Sequence, residues 1–146
     1  LGGAIDRAAL IQALKIGILD AVSVHSIPLD NEDTQLPADK RKPGLAGHHL
    51  ILPALWNELI LKGNWSIERL WEVLSFGPSN MLNLPEETIT CGSRRWLIFD
   101  PDETWIQDRK SKYSPKASNQ PWQGHQIMGK VVSCGLRNLE ESPDDS

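Results

Sequence analysis

Residues 4–24, AIDRAALIQALKIGILDAVSV, set one helical stretch directly ahead of one β-rich run, the only strand read before Pro85. Ala9, Leu10, Ala13 and Leu14 recur at helical spacing behind Asp6, the expected cap, and Gly17 supplies the stop. ILDAVSV then reads as a short buried strand, since Val22 and Val24 are β-branched and Pro28 forbids the ladder from continuing. Helix, short turn and strand form the second half of a βαβ unit, and a parallel strand needs a partner from elsewhere. One such strand with one or two helices can neither close a barrel nor cover both faces of a sheet. The expectation is an α/β piece, the tail of something larger; a first residue Leu1 rather than Met agrees with a fragment.

Residues 26–46 are rich in Pro, Asp and Lys and close with PGLAG, a loop of the length used for lids and binding segments. Leu52, Leu55, Trp56, Leu59 and Ile60 then predict an amphipathic helix over 48–62, ended by Gly63. Ser66 is the expected N-cap of another helix carrying Ile67, Leu70, Trp71 and Leu74, and Pro78 opens a further short turn with Met81 and Leu82. After Pro85 the pattern changes. TITCG, RRWLIFD, ETWIQD and QIMGKVVSCG are short β-rich runs separated by Gly, Pro and Asp. Asp100-Pro101 reads as a strand-ending turn, and Gly129 either closes a hairpin or marks a bulge in a single strand. The division is a helical part over 1–84, strands over 85–138 and a disordered acidic tail over 139–146.

Composition narrows the partners. The net charge is −4 with no basic stripe, which speaks against nucleic acid. The longest apolar run, LILPALW, is too short to span a bilayer, no signal peptide opens the chain, and a cytoplasmic protein is expected. Cys91 and Cys134 are far apart and are expected to be reduced, partly buried thiols. Six tryptophans without a fixed period are expected to fill core and edge positions.

Several stretches in order resemble the C-terminal part of dihydroorotases, zinc-dependent cyclic amidohydrolases of pyrimidine biosynthesis. AIDRAALIQALKIGILDAV is similar to their run from the seventh barrel helix into the eighth strand, and PGLAG with Pro53 resembles their substrate loop and the helix behind it. SFGPSNMLNLP resembles S-x-N-P-A-x-x-x-G-L; LIFDPDETW resembles L-V-x-F-D-P…W; SNQPWQGHQIMGKV resembles N-T-P-F-x-G-x-x-x-x-G-x-V. The resemblance implies the last units of an amidohydrolase (β/α)8 barrel followed by strands of a small β-sandwich.

It also implies where chemistry would sit. The family's eighth strand ends in D-H-A-P-H, in which the Asp binds metal and moves a proton, work that suits a carboxylate on a hard dication. The last His of that motif contacts the substrate carboxylate. Here the stretch is HSIPL: His25 takes the place of the Asp, Ser26 of the first His and Leu29 of the substrate His. An imidazole is able to ligate zinc and to act as a base, but not both through one nitrogen, and Leu29 cannot hold a carboxylate. His25 thus reads as a structural histidine at a lost catalytic position. Gly44 and Gly47 match the substrate-loop glycines, while a turn leading into a helix explains them equally well. His48 and His49, adjacent on a helix, diverge by about 100° and do not readily grip one metal. His125 is expected at the surface, and Arg94-Arg95 is expected to block edge pairing or meet a partner.

The resemblance therefore implies a dihydroorotase-like segment, non-catalytic by itself and acting as scaffold or assembly partner, with no metal site and no zinc of its own. Aspartate transcarbamoylase or a second copy is the implied partner. The alternative is one part of an active zinc-dependent dihydroorotase that interconverts dihydroorotate and N-carbamoyl-L-aspartate; a third reading is a loop pocket for a small anion.

Overall fold

The structure, a computed structural model, describes residues 2–85, 88–93, 95–108 and 115–136. The expected acidic tail and Arg94 lie outside the described residues. Five α-helical segments precede a two-stranded antiparallel sheet: α1 Ala4–Lys15, α2 Asn31–Gln35, α3 His48–Leu55, α4 Ile67–Trp71, α5 Gly77–Met81, β1 Arg95–Ile106 and β2 Gln126–Leu136. Among the described residues no helix is long and apolar enough to cross a membrane.

Helix α1 is capped differently from expectation. Gly3 is its N-cap, and Asp6, three residues on, reaches back to accept the Gly3 N–H at 2.7 Å. Ile11 and Leu14 turn toward the core, whereas Ala9 and Leu10 are exposed. Gly17, at φ +82°, ends the helix as expected. At the other end of the helix–strand pair the guanidinium of Arg69 covers the carbonyl of Leu14, its Nε at 3.0 Å. Cations are favoured beside those unpaired terminal carbonyls.

The run at 18–24 forms no ladder, and Ile18 and Val24 are exposed. β-branched composition predicts a strand only where a partner supplies hydrogen bonds, and among the described residues none lies alongside. Its one long-range backbone bond goes instead to a helix, Val22 N–H to Val73 C=O at 2.9 Å. That carbonyl is free for a definite reason. Residues Glu72–Phe76 form a wide π-turn in which the Gly77 N–H reaches back five residues to Glu72. The next such donor would be residue 78, which is proline and has no N–H. The 18–22 segment then sits so close that a Cβ on Gly77 would lie 2.0 Å from the Asp20 carbonyl oxygen.

The helices expected from Ser66 and from Pro78 are thus one continuous helical stretch, α4 to α5, joined by the π-turn. Ser66 caps it, accepting the Arg69 N–H at 3.2 Å. Helix α3 likewise runs on as a π-turn over Trp56–Leu61 and stops where Asn64 takes φ +55°. Leu59, Trp65, Leu70 and Val73 form the buried core between these stretches, with Ile11, Leu14, Val22 and Trp56 packed around it.

The β part is longer and simpler than its sequence suggests. TITCG forms no strand. Asp100-Pro101 does not end a strand but begins a bulge inside β1, where register slips between Asp100 and Thr104. The Asp100 carboxylate accepts the N–H groups of Asp102 and Glu103 at 2.9 and 3.1 Å, holding the extra residues in an Asx turn. Opposite it, Gly129 lies within β2 at φ +90°, so the bulge is the alternative realised rather than a hairpin. A Cβ there would come within 2.7 Å of the Phe99 ring. Phe99 packs on Trp56 with ring centroids 5.3 Å apart, which ties the sheet to the helical part. Cys91 and Cys134 are free as expected, but exposed rather than partly buried.

Candidate functional site

The expected long loop at 26–46 is not structureless. Asp30 caps the short α2 by accepting the Asp33 N–H at 2.7 Å, and Asp33 returns the bond to the Asp30 N–H. Both ends of the loop are fastened to residues 118–119. Asn119 accepts the Leu29 N–H at its Oδ1, 2.9 Å away, and donates from Nδ2 to the carbonyls of Ile27 and Gly44 at 2.7 and 3.1 Å. Its own carbonyl accepts the Ala46 N–H at 3.3 Å, and the Ser118 N–H donates to Leu29 at 2.7 Å.

Beside this junction lies a groove of about 190 Å3 between residues 24–26, the 45–47 turn, Leu50, Ile51 and Ala54 of α3, and Pro121-Trp122. It is largely apolar. Only His25, Ser26 and the Trp122 indole bring polar side-chain atoms to its lining, and no Lys or Arg is among the lining residues. Trp122 is held at φ +59°, a left-handed conformation that costs a bulky residue energy and that surrounding structure must enforce.

His25 is exposed and, among the described residues, has no hydrogen-bond partner. Leu29, four residues on, is 4% exposed and turned into the fold with both backbone polar groups occupied. Gly47, at φ +143°, lines the groove, and a Cβ there would sit 3.3 Å from Leu50 and 3.4 Å from Pro121. Gly44, at φ +146°, faces Ile27 rather than the groove; a Cβ would lie 2.7 Å from that side chain. Backbone conformation and close approach account for both glycines.

The adjacent histidines diverge. His48 is exposed, while Nε2 of His49 meets the side-chain oxygen of Gln107 at 3.1 Å and its ring tilts toward Trp105. Gln107, fully buried, donates in turn to Gln120, whose amide donates to the carbonyls of Pro115 and Ala117. His125 is exposed and stays with its own loop, Nδ1 at 3.1 Å from the Gln123 carbonyl. Arg95 opens β1 opposite Leu136. The sequence reading missed Asn119, Gln107 and Gln120 as fixing groups; the only signal was SNQPWQG, read as a family motif without a role for its Asn.

The described residues of this chain do not by themselves fit a zinc centre. Among the described residues no three His, Cys, Asp or Glu side chains converge, and His49 is committed to Gln107. Glu58 is engaged elsewhere, where hydrogen bonds from Lys62 and Arg7 hold its carboxyl below the usual carboxylate range.

The fold matches a segment of hydantoinase and dihydroorotase-like structures. A D-hydantoinase from a Bacillus species superposes with a TM-score of 0.76 at 23% identity, over 93% of this chain and 31% of that one. The inactive dihydroorotase-like domain of a Chaetomium thermophilum CAD-like multifunctional protein gives 0.63 at 19% identity, over 94% of this chain and 36% of that one. In sequence, a probable dihydroorotase-like protein of Synechocystis is 38% identical over 134 residues, 91% of this chain and 29% of the relative. A dihydroorotase of Aquifex aeolicus is 32% identical over 128 residues, 87% of this chain and 30% of the relative. No protein-family model matches the chain. The chain is a homologue of the dihydroorotases, corresponding to a C-terminal segment of them and spanning about 30% of the length of the curated relatives it matches.

Proposed function

We propose that this chain is a dihydroorotase-like segment of pyrimidine biosynthesis that is non-catalytic by itself and serves as a scaffold or assembly partner. The observation that carries the reading is the 25–29 stretch. The position of the family's metal-binding Asp is His25, exposed and, among the described residues, part of no group of three or more possible metal ligands. The position of the substrate-contacting His is Leu29, buried and unable to hold a carboxylate. The likeness to an inactive dihydroorotase-like domain supports the same reading. Aspartate transcarbamoylase, or a second copy of the chain, is the proposed partner. The exposed Ile18 and Val24 on a run without a ladder support the finer fold, the end of a (β/α)8 barrel followed by sandwich strands.

The Aquifex relative, named dihydroorotase, favours a second reading in which the chain is one part of an active zinc-dependent enzyme. One experiment separates the two. The 146-residue chain, alone and joined to the remaining part of the Aquifex aeolicus dihydroorotase, is assayed with zinc for interconversion of dihydroorotate and N-carbamoyl-L-aspartate, and separately for co-purification with the transcarbamoylase. No turnover with capture of the transcarbamoylase supports the scaffold. Zinc-dependent turnover abolished by His25→Ala overturns it.

A further inference from the structure

We infer that Asn119 is the latch that assembles the groove: one side chain from the 115–122 segment holds the 26–46 loop shut against it, and the loop opens as a unit when the latch is lost. The inference goes beyond the proposed function and stands whether or not the groove serves catalysis.

Three observations carry it. First, the Asn119 amide engages both arms of the loop at once, Ile27 and Leu29 on the entering arm and Gly44 on the leaving arm. The bonds use each side of the amide in its proper sense. Backbone N–H meets the oxygen and backbone carbonyls meet the nitrogen, so the orientation of the group is fixed by its partners. Second, the remaining ties are few: the 118–119 backbone meets one group on each arm, the Leu29 carbonyl and the Ala46 N–H, and the Ser118 hydroxyl donates to Asn31. Ile27 N–H donates to Leu45 at 3.1 Å, while the arms carry Gly44 and Gly47 at positive φ. Glycine there lowers the conformational barrier to leaving the closed arrangement. Third, the groove walls depend on the same junction. His25 and Ser26 precede Ile27, Ala46 and Gly47 follow Gly44, and Pro121-Trp122 follow Asn119 itself. Releasing the amide leaves three walls of the groove, and the enforced left-handed Trp122, held together by these few backbone bonds alone.

The chemistry of the latch makes a sharp test. Asn119→Asp is nearly isosteric and keeps an acceptor for the Leu29 N–H. It replaces the donor by a carboxylate oxygen aimed at two carbonyls, so it breaks the latch without emptying the space. Hydrogen exchange by NMR on the whole chain reads the result. In Asn119→Ala and in Asn119→Asp the amides of Ile27 and Ala46 are expected to lose protection by roughly tenfold or more, with Leu70 and Val131 unchanged. The His25 ring resonances are expected to shift in both variants as the groove wall moves. Silence in Asn119→Asp would show that the residue acts by filling space and would overturn the latch. A uniform loss of protection that includes Leu70 and Val131 would overturn it equally, because the loop would then have no opening of its own.

Discussion

Gln107 presents its side-chain carbonyl to Nε2 of His49 at 3.1 Å, across 58 residues of sequence. The partners beyond it decide the protonation pattern. Gln120 gives its amide hydrogens to two backbone carbonyls, so its oxygen must accept from the Gln107 nitrogen. That leaves the Gln107 oxygen for His49, whose Nε2 must carry the hydrogen while Nδ1 stays buried and unpaired. Gln107→Leu removes the central member and strands a donor on His49 and an acceptor on Gln120. A loss of about 2–4 kcal/mol is expected by urea denaturation. The double variant with His49→Leu should cost less than the sum of the two single changes, because it removes one of the stranded groups.

Gly77 sits in ordinary helical backbone, so alanine is sterically excluded by its neighbour and not by its own dihedrals. Gly77→Ala must push the 18–22 segment away from the helix and lengthen the bond from Val22 to Val73. The expected loss is about 1–3 kcal/mol, seen as a lower melting temperature and faster exchange at the Val22 amide. Gly92→Ala is the contrasting control: nothing stands within 4 Å of the added carbon, so only its φ of +90° is strained.

Arg69 gathers the end of α1 from a helix 55 residues away, and also reaches the Leu19 carbonyl at 3.4 Å. Arg69→Ala should cost about 1–2 kcal/mol and loosen the last turn of α1 before the rest of the fold. Arg69→Lys should recover only part of this, since a single ammonium on a flexible stem does not reproduce the planar fork. Exchange at Ile16 and Gly17 checks both.

Glu58 gives a pH signature. Its folded carboxyl titrates below the ordinary value of 4.5, first because Lys62 hydrogen-bonds to it and then because Arg7 does. A carboxylate depressed on folding contributes stability that is fully present above its unfolded value and lost as pH falls through the folded one. The stability difference between wild type and Glu58→Gln should therefore be level near neutrality and shrink below pH 4.5. All three side chains are substantially exposed, so the difference should be small and should fade in 1 M salt.

The legible and illegible parts of this chain divide along physical lines. The spacing of Leu52, Leu55, Trp56, Leu59 and Ile60 points to a helix whose apolar side faces the core, as found, because periodicity records burial directly. Ser66 reads correctly as a cap because capping is local chemistry. Val22 and Val24 carry a β preference, but β-branching says nothing of whether a ladder partner is present, and among the described residues none is. Asp100-Pro101 misleads for the converse reason: the same residues that end a strand also make a bulge within one. At the site, Gly44 and Gly47 are legible as special backbone positions. Asn119 and Gln107 are not, because an amide carries no mark of the partners it meets dozens of residues away.

The amide at position 119 joins residues 90 and 92 places earlier in the chain. Closing so wide a span is slow, and no local bond rewards it in advance. During synthesis the 26–46 arm must therefore wait, solvated and open to proteases, until residues 118–119 have left the ribosome; a truncation before Ser118 would leave it unfastened for good.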